Sequence, residues 1–253
     1  MNTLRGCLAA LQLLTRLPIP SRTYYPLDNA LVWLPVVGFL LGGLLALADA
    51  GLRWLQVSTL LDSASLVVLL LALTGGLHAD GLMDTSDAVF GHAAPERRLE
   101  IMRDPRTGAF GVVGLVSVVA LKIAALDSLP TSLRGELVWL APGLGRWAIV
   151  LVTAVFPYAR ASGLGAPLKA AATPWRVAIA SVLPCVACLL VGPAGVVCGA
   201  LAALSALGLG RWLMRMLPGL TGDCYGAVCE VAETVVWLGG SLLAPRVLAH
   251  LIN

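Results

Sequence analysis

The sequence predicts an all-α, polytopic membrane bundle of about seven transmembrane helices plus an N-terminal interfacial helix, forming one integral membrane domain over residues 1–253. Three observations carry that expectation. Hydrophobic residues make up 58% of the chain and charged residues only 12%, about half the charged share of a soluble domain. The mean hydropathy is +0.89. Apolar stretches near bilayer length recur, and 253 residues leave room for roughly six to eight spans of about 20 residues and for no separate soluble domain.

The elements follow in order. The opening MNTLRGCLAALQLLTRLPIP has the charge and short apolar stretch of a signal peptide. Arg16 and two prolines stand where a small-residue cleavage site belongs, so a retained amphipathic or interfacial helix is expected. Seven apolar runs come next: Ala30 to Leu52, Leu60 to Leu77, Phe110 to Leu126, Leu137 to Phe156, Val177 to Val191, Ala194 to Leu209 and Val231 to Leu251. Inside a bilayer each must be helical, because lipid offers no partner for backbone N–H and C=O groups.

Basic residues orient the spans. Of the 17 Lys and Arg, twelve fall on one side: Arg5, Arg16, Arg22, Arg97, Arg98, Arg103, Arg106, Arg160, Lys169, Arg176, Arg211 and Arg215. Arg53, Arg134 and Arg246 lie opposite, while Lys122 and Arg146 sit inside spans. The richer side is expected to be cytoplasmic and the C-terminus outside, in a cell (inner) membrane. A formal charge of +3 with no basic run is too small to argue for nucleic-acid binding, and no nucleic-acid partner is expected. The six cysteines are scattered, mostly through apolar runs, and imply no disulfide framework. Cys185 and Cys188 have metal-pair spacing without further ligands, so they are expected to pack as small hydrophobes.

Against this background, Thr74 to Gly114 concentrates Asp80, Asp84, Asp87, Asp104 and four arginines. On a helix, the first three aspartates share one face. Such a stripe repels itself unless a cation sits in it, and Mg²⁺ prefers carboxylate oxygens while bridging to substrate phosphate. Arg98, Arg103 and Arg106 have the fork geometry that matches phosphate. Together they point to Mg²⁺-assisted phosphoryl transfer, with one carboxylate as a base for an attacking hydroxyl. The plainer alternative is a solvated acidic face beside orientation signals. Gly75, Gly76, Gly81 and Gly91 permit close backbone approach. His78 and His92 flank the segment; His78 is a candidate metal or proton-shuttling residue and His92 a loop residue. Arg146 within a span is expected to be functional, whereas Lys122 can snorkel to an interface. On the same expected face, Asp223 precedes Glu230 and Glu233, one turn apart at the start of the last span.

These residues carry a resemblance. Leu14-Thr-Arg-Leu-Pro-Ile-Pro20, Leu34-Pro-Val-Val-Gly-Phe-Leu-Leu-Gly42, Gly75-Gly-Leu-His-Ala-Asp-Gly-Leu-Met-Asp-Thr-Ser-Asp87, Arg98-Leu-Glu-Ile-Met-Arg-Asp-Pro-Arg-Thr-Gly-Ala-Phe-Gly111 and Leu220-Thr-Gly-Asp-Cys-Tyr-Gly-Ala227 resemble the cobalamin synthase family of adenosylcobinamide-GDP ribazoletransferases. The resemblance implies a membrane enzyme of vitamin B12 biosynthesis. A hydroxyl of α-ribazole or its 5′-phosphate attacks the corrinoid-side phosphorus of adenosylcobinamide-GDP, GMP leaves, and adenosylcobalamin or its 5′-phosphate forms. It implies Mg²⁺, with Asp80, Asp84, Asp87 and Asp104 catalytic and the first three as metal ligands. Arg98, Arg103 and Arg106 would clamp phosphates. From their own chemistry and placement, His78, Arg146, Asp223, Glu230 and Glu233 are expected to contact substrate. Association with other nucleotide-loop assembly enzymes is a further expectation. Two rivals differ in substrate or class. The CDP-alcohol phosphotransferases also place Asp-Gly before later aspartates, but their spacing and Ala-Arg pair are missing here. A transporter would suit the intramembrane charges, yet no internal repeat relates the two halves of the chain.

Overall fold

The computed structural model describes residues 3–19, 25–91 and 94–252. Arg22 and His92 lie outside the described residues. Among those described there are eleven α-helices and no strand, only a single bridge between Tyr158 and Leu220. Helix α1 (Thr3–Leu14) is the expected N-terminal helix. The seven apolar runs fall on α2 (Leu34–Trp54), α3 (Thr59–Thr74), α6 (Ala109–Asp127), α7 (Arg134–Val155), α9 (Pro174–Val191), α10 (Pro193–Leu213) and α11 (Gly222–Ile252). Of these, α2, α6, α7, α9 and α10 are each long and apolar enough to cross a membrane. The shorter helices α4 (Leu77–Phe90), α5 (Pro95–Ile101) and α8 (Gly165–Ala171) lie between them.

Two boundaries differ from the sequence reading. The run Leu60 to Leu77 breaks before its end, because Gly75 and Gly76 take left-handed backbone angles, φ +62° and +71°, which cost glycine little. Helix α4 therefore leaves α3 at 93°, out of the direction of the span. The last helix starts at Gly222 rather than near Val231. Glu230 and Glu233 thus lie two turns or more inside it, away from the positive end of the helix dipole that a helix-start position would offer.

Helix α7 is the axis of the bundle, buried along most of its length and packed against α2, α9, α10 and α11. Its first residue, Arg134, ties one end together. The guanidinium donates to Asp49 at 2.6 Å, Asp62 at 2.9 Å and Ser63 at 3.2 Å, and also to the carbonyl of Leu126. A residue that counted as a loop charge in the sequence is 3% exposed and joins α2, α3 and α6. At the other end Lys169 donates to the carbonyls of Thr153 and Ala154, which occupies the free acceptors of the last turn of α7.

Candidate active site

The site grows from the crossing of α4 and α11. At Gly81 an added Cβ would lie 2.7 Å from the Asp223 carbonyl oxygen, and at Gly226 one would lie 3.0 Å from that of His78. The two backbones therefore touch, and only residues without a side chain allow it. This contact sets Asp80 and Asp84 of α4 beside Asp223 of α11. Thr221 holds the start of α11 by accepting from the N–H of Cys224 at 3.3 Å, as an N-cap does, and lies 3.2 Å from an Asp223 oxygen.

A cation reaches the cluster from the segment after α7. Arg160 donates to Asp223 at 3.0 Å and to the carbonyl of Met102 at 3.4 Å. Its segment is fastened by reciprocal backbone bonds, Ala159 N–H to the Leu220 carbonyl and Leu220 N–H to that of Pro157, each 2.8 Å. His78, Asp80, Asp223, Arg160, Tyr158 and Tyr225 line a cavity of about 230 Å³, with leucines of α1, α2 and α8 across from them.

The electrostatics of the cluster call for positive charge. Burial first, and then the Asp80, Asp223 and Asp87 carboxylates, push Asp84 up to about 7, with Arg160 pulling the other way. Burial also raises Asp223, against the pull of Arg160 and Thr221. Among the described residues no three His, Cys, Asp or Glu form a ready-made metal cage. Mg²⁺ seldom needs one, since it keeps several waters and takes one or two carboxylates plus substrate phosphate. Asp80, Asp84 and Asp223 fit that demand.

Most other expected site residues have partners of their own. Asp87 accepts from the backbone N–H of Gly108 at 2.8 Å and Gly111 at 2.7 Å, so it caps α6. Asp104 forms a two-pronged pair with exposed Arg106 at 2.9 and 2.7 Å, whose hydrogen bonds hold it down at about 2. Arg98 donates to the Met216 carbonyl at 2.9 Å, and Arg103 points to solvent.

Arg146, Glu230 and Glu233 form a buried network behind the cavity. Arg146 pairs with Glu233, and Lys122 of α6 pairs with Glu230 at 2.6 Å and with Glu233. Lys122 does not snorkel: it is 2% exposed, because its ammonium finds two carboxylates in the core and lies over the Trp237 ring. Arg146 also reaches Nδ1 of His78 at 3.2 Å. A guanidinium can only donate, so Nδ1 accepts and the ring proton sits on Nε2. His78 thus couples this network to the cavity wall.

Sequence reasoning missed Arg160, Tyr158 and Tyr225. The available signal was the position of Tyr158-Ala-Arg160 on the same expected face as the acids.

Comparison with known proteins identifies the family of the chain. The family model described as cobalamin-5-phosphate synthase matches residues 6–241. The chain is 40% identical to the adenosylcobinamide-GDP ribazoletransferase of Synechococcus elongatus, covering 91% of this chain and 93% of that protein. It is 42% identical to the protein of that name from Ectopseudomonas mendocina, covering 92% and 97%. With that of a Roseiflexus species the identity is 40%, covering 95% and 91%. No solved structure matches. A match over nearly the whole chain, motifs included, means that this chain belongs to the cobalamin-5-phosphate synthase family.

Proposed function

We propose that the chain transfers the adenosylcobinamide phosphate group from adenosylcobinamide-GDP to α-ribazole or its 5′-phosphate. GMP leaves, and adenosylcobalamin or its 5′-phosphate forms. The observation that carries this reading is that Asp80, Asp223 and Arg160 line one cavity, with Asp84 close enough to Asp80 and Asp223 for their charges to raise it. A hydroxyl of the acceptor forms the new bond to the corrinoid-side phosphorus as the bond from that phosphorus to GMP breaks. Asp84 suits the role of proton acceptor, being half-buried among carboxylates. Asp80 and Asp223 would hold Mg²⁺, which supplies neutralisation of charge on the pyrophosphate when bound. Arg160 is placed to bind phosphate oxygens in the fork geometry. His78 is positioned to donate from Nε2. The distribution of basic residues points this cavity toward the cytoplasm, which would make the membrane the cell (inner) membrane.

GMP release by purified, detergent-solubilised protein tests the reading, with adenosylcobinamide-GDP and α-ribazole 5′-phosphate supplied with and without Mg²⁺. Wild type is expected to give GMP and corrinoid product only with Mg²⁺, and Asp84→Ala to give neither while remaining folded. Full turnover by Asp84→Ala removes the carboxylate mechanism. Absence of product from folded wild type removes the reaction.

A further inference from the structure

A second cavity, of about 510 Å³, adjoins the first, and Leu13, Leu77 and Leu164 belong to the walls of both. Its chemistry is different. The first cavity carries aspartates and Arg160, whereas Arg16 is the only ionised side chain lining the second among the described residues. Tyr25 and Gln12 add a ring and an amide, and most of the remaining wall is aliphatic.

Arg16 is seated by the fold. Its N–H donates to the Leu73 carbonyl at 2.7 Å. Its side chain lies over Gly75, where an added Cβ would come 2.1 Å from Nε. The glycine turn that bends α4 away from α3 therefore also makes room for this guanidinium. No carboxylate among the described residues pairs with it. A cation without an acid, at the wall of an apolar chamber with a phenol ring, fits a flat aromatic ligand bearing an anionic group.

The reaction proposed above has two organic substrates, and this inference rests on it. A cavity of about 510 Å³ lies within the range of roughly 300–1,000 Å³ that small ligands occupy. A corrin ring carrying a nucleotide is too large for it, whereas a benzimidazole nucleotide is not. We infer that the cavity around Arg16 and Tyr25 is the acceptor subsite. It takes α-ribazole 5′-phosphate with its base against Tyr25 and the leucines and its phosphate on Arg16. The ribose then faces the shared Leu13, Leu77 and Leu164 boundary, beyond which lies the carboxylate cluster.

Steady-state kinetics on the full-length protein in detergent test this, using Arg16→Ala, Arg16→Lys and Leu164→Trp. Leu164 is 61% exposed, so the tryptophan narrows the boundary without disturbing the core. Arg16→Ala is expected to raise KM for α-ribazole 5′-phosphate about 10- to 100-fold relative to KM for unphosphorylated α-ribazole, the size of one lost charge-assisted bond. Arg16→Lys recovers part of that, and Leu164→Trp raises KM for both acceptors. In both Arg16 variants the KM for adenosylcobinamide-GDP stays within about twofold, less than one lost hydrogen bond would cost. Equal losses for both acceptors, or a rise in KM for the donor alone, overturn the assignment. Calorimetric titration of α-ribazole 5′-phosphate without donor separates the two readings. Binding to wild type that weakens in Arg16→Ala supports the subsite even if no turnover is seen. Turnover with unchanged acceptor binding in Arg16→Ala sinks the subsite and leaves the reaction standing.

Discussion

Replacing Gly81 by alanine tests whether the α4–α11 contact sets the catalytic geometry. The new Cβ would sit 2.7 Å from the Asp223 carbonyl oxygen and 3.0 Å from its Cα, whereas ordinary contact begins at 3.4 Å. The obstacle is backbone, so no side chain can swing away. One helix must shift by about 0.7 Å to restore contact, and overpacking of this kind costs about 1–3 kcal/mol. The same shift separates Asp80 and Asp84 from Asp223, and misplacement approaching 1 Å at a reacting centre costs on the order of 10²-fold. GMP release is therefore expected to fall about 10- to 100-fold in kcat, with a lowered unfolding temperature in detergent. Gly43→Ala is the control, since nothing lies within 4 Å of a Cβ there. It is expected to be neutral or to stabilise by up to about 1 kcal/mol through helix propensity. Wild-type kcat in Gly81→Ala, or equal damage from both substitutions, refutes the argument.

Three further outcomes follow from named contacts. Asp87→Ala removes the acceptor for the N–H groups of Gly108 and Gly111 and is expected to cost about 0.5–2 kcal/mol of stability; the Mg²⁺ concentration for half-maximal activity should not move, and a large increase would return Asp87 to the metal. Lys122→Met strands Glu230 and leaves Glu233 with Arg146 alone, at about 3–5 kcal/mol. Adding Glu230→Gln should recover part of that loss in chemical unfolding, and simple additivity would argue against a shared network. For Asp84 the folded value lies above the unfolded one, so its contribution to stability declines as pH rises from about 4 through about 7. Mg²⁺ binding the ionised cluster opposes that loss. The rise in unfolding temperature with Mg²⁺ should be larger at pH 8 than at pH 5.5, and an equal or reversed effect removes the cation site.

Much of the fold was legible because partition into lipid is a local property. Each apolar run had to become a helix, and each of the seven forms most of one, with Leu60 to Leu77 broken at its end by the glycine turn. The stripe Asp80, Asp84 and Asp87 was legible too, since i, i+4 and i+7 share a face on any helix. The start of α11 was not legible, because Gly222 to Cys229 mixes Asp223 and Tyr225 with small residues and has no apolar signature. Nor was the role of Arg134, which looks like a loop charge until α2, α3 and α6 bring their acceptors to it.

The sequence by itself determined a membrane helical bundle, and its carboxylates and arginines pointed to phosphoryl transfer. Only the tertiary structure decided which charges meet. Asp223 joined Asp80 and Asp84 where Asp87 had been expected, Arg160 supplied the cation, and Arg146 and Lys122 were neutralised in the core. The physical reason is that periodicity sets the direction of a side chain from its own helix. Its partner depends on where two helices cross, and that was set here by a two-glycine turn and by backbone contact at Gly81 and Gly226.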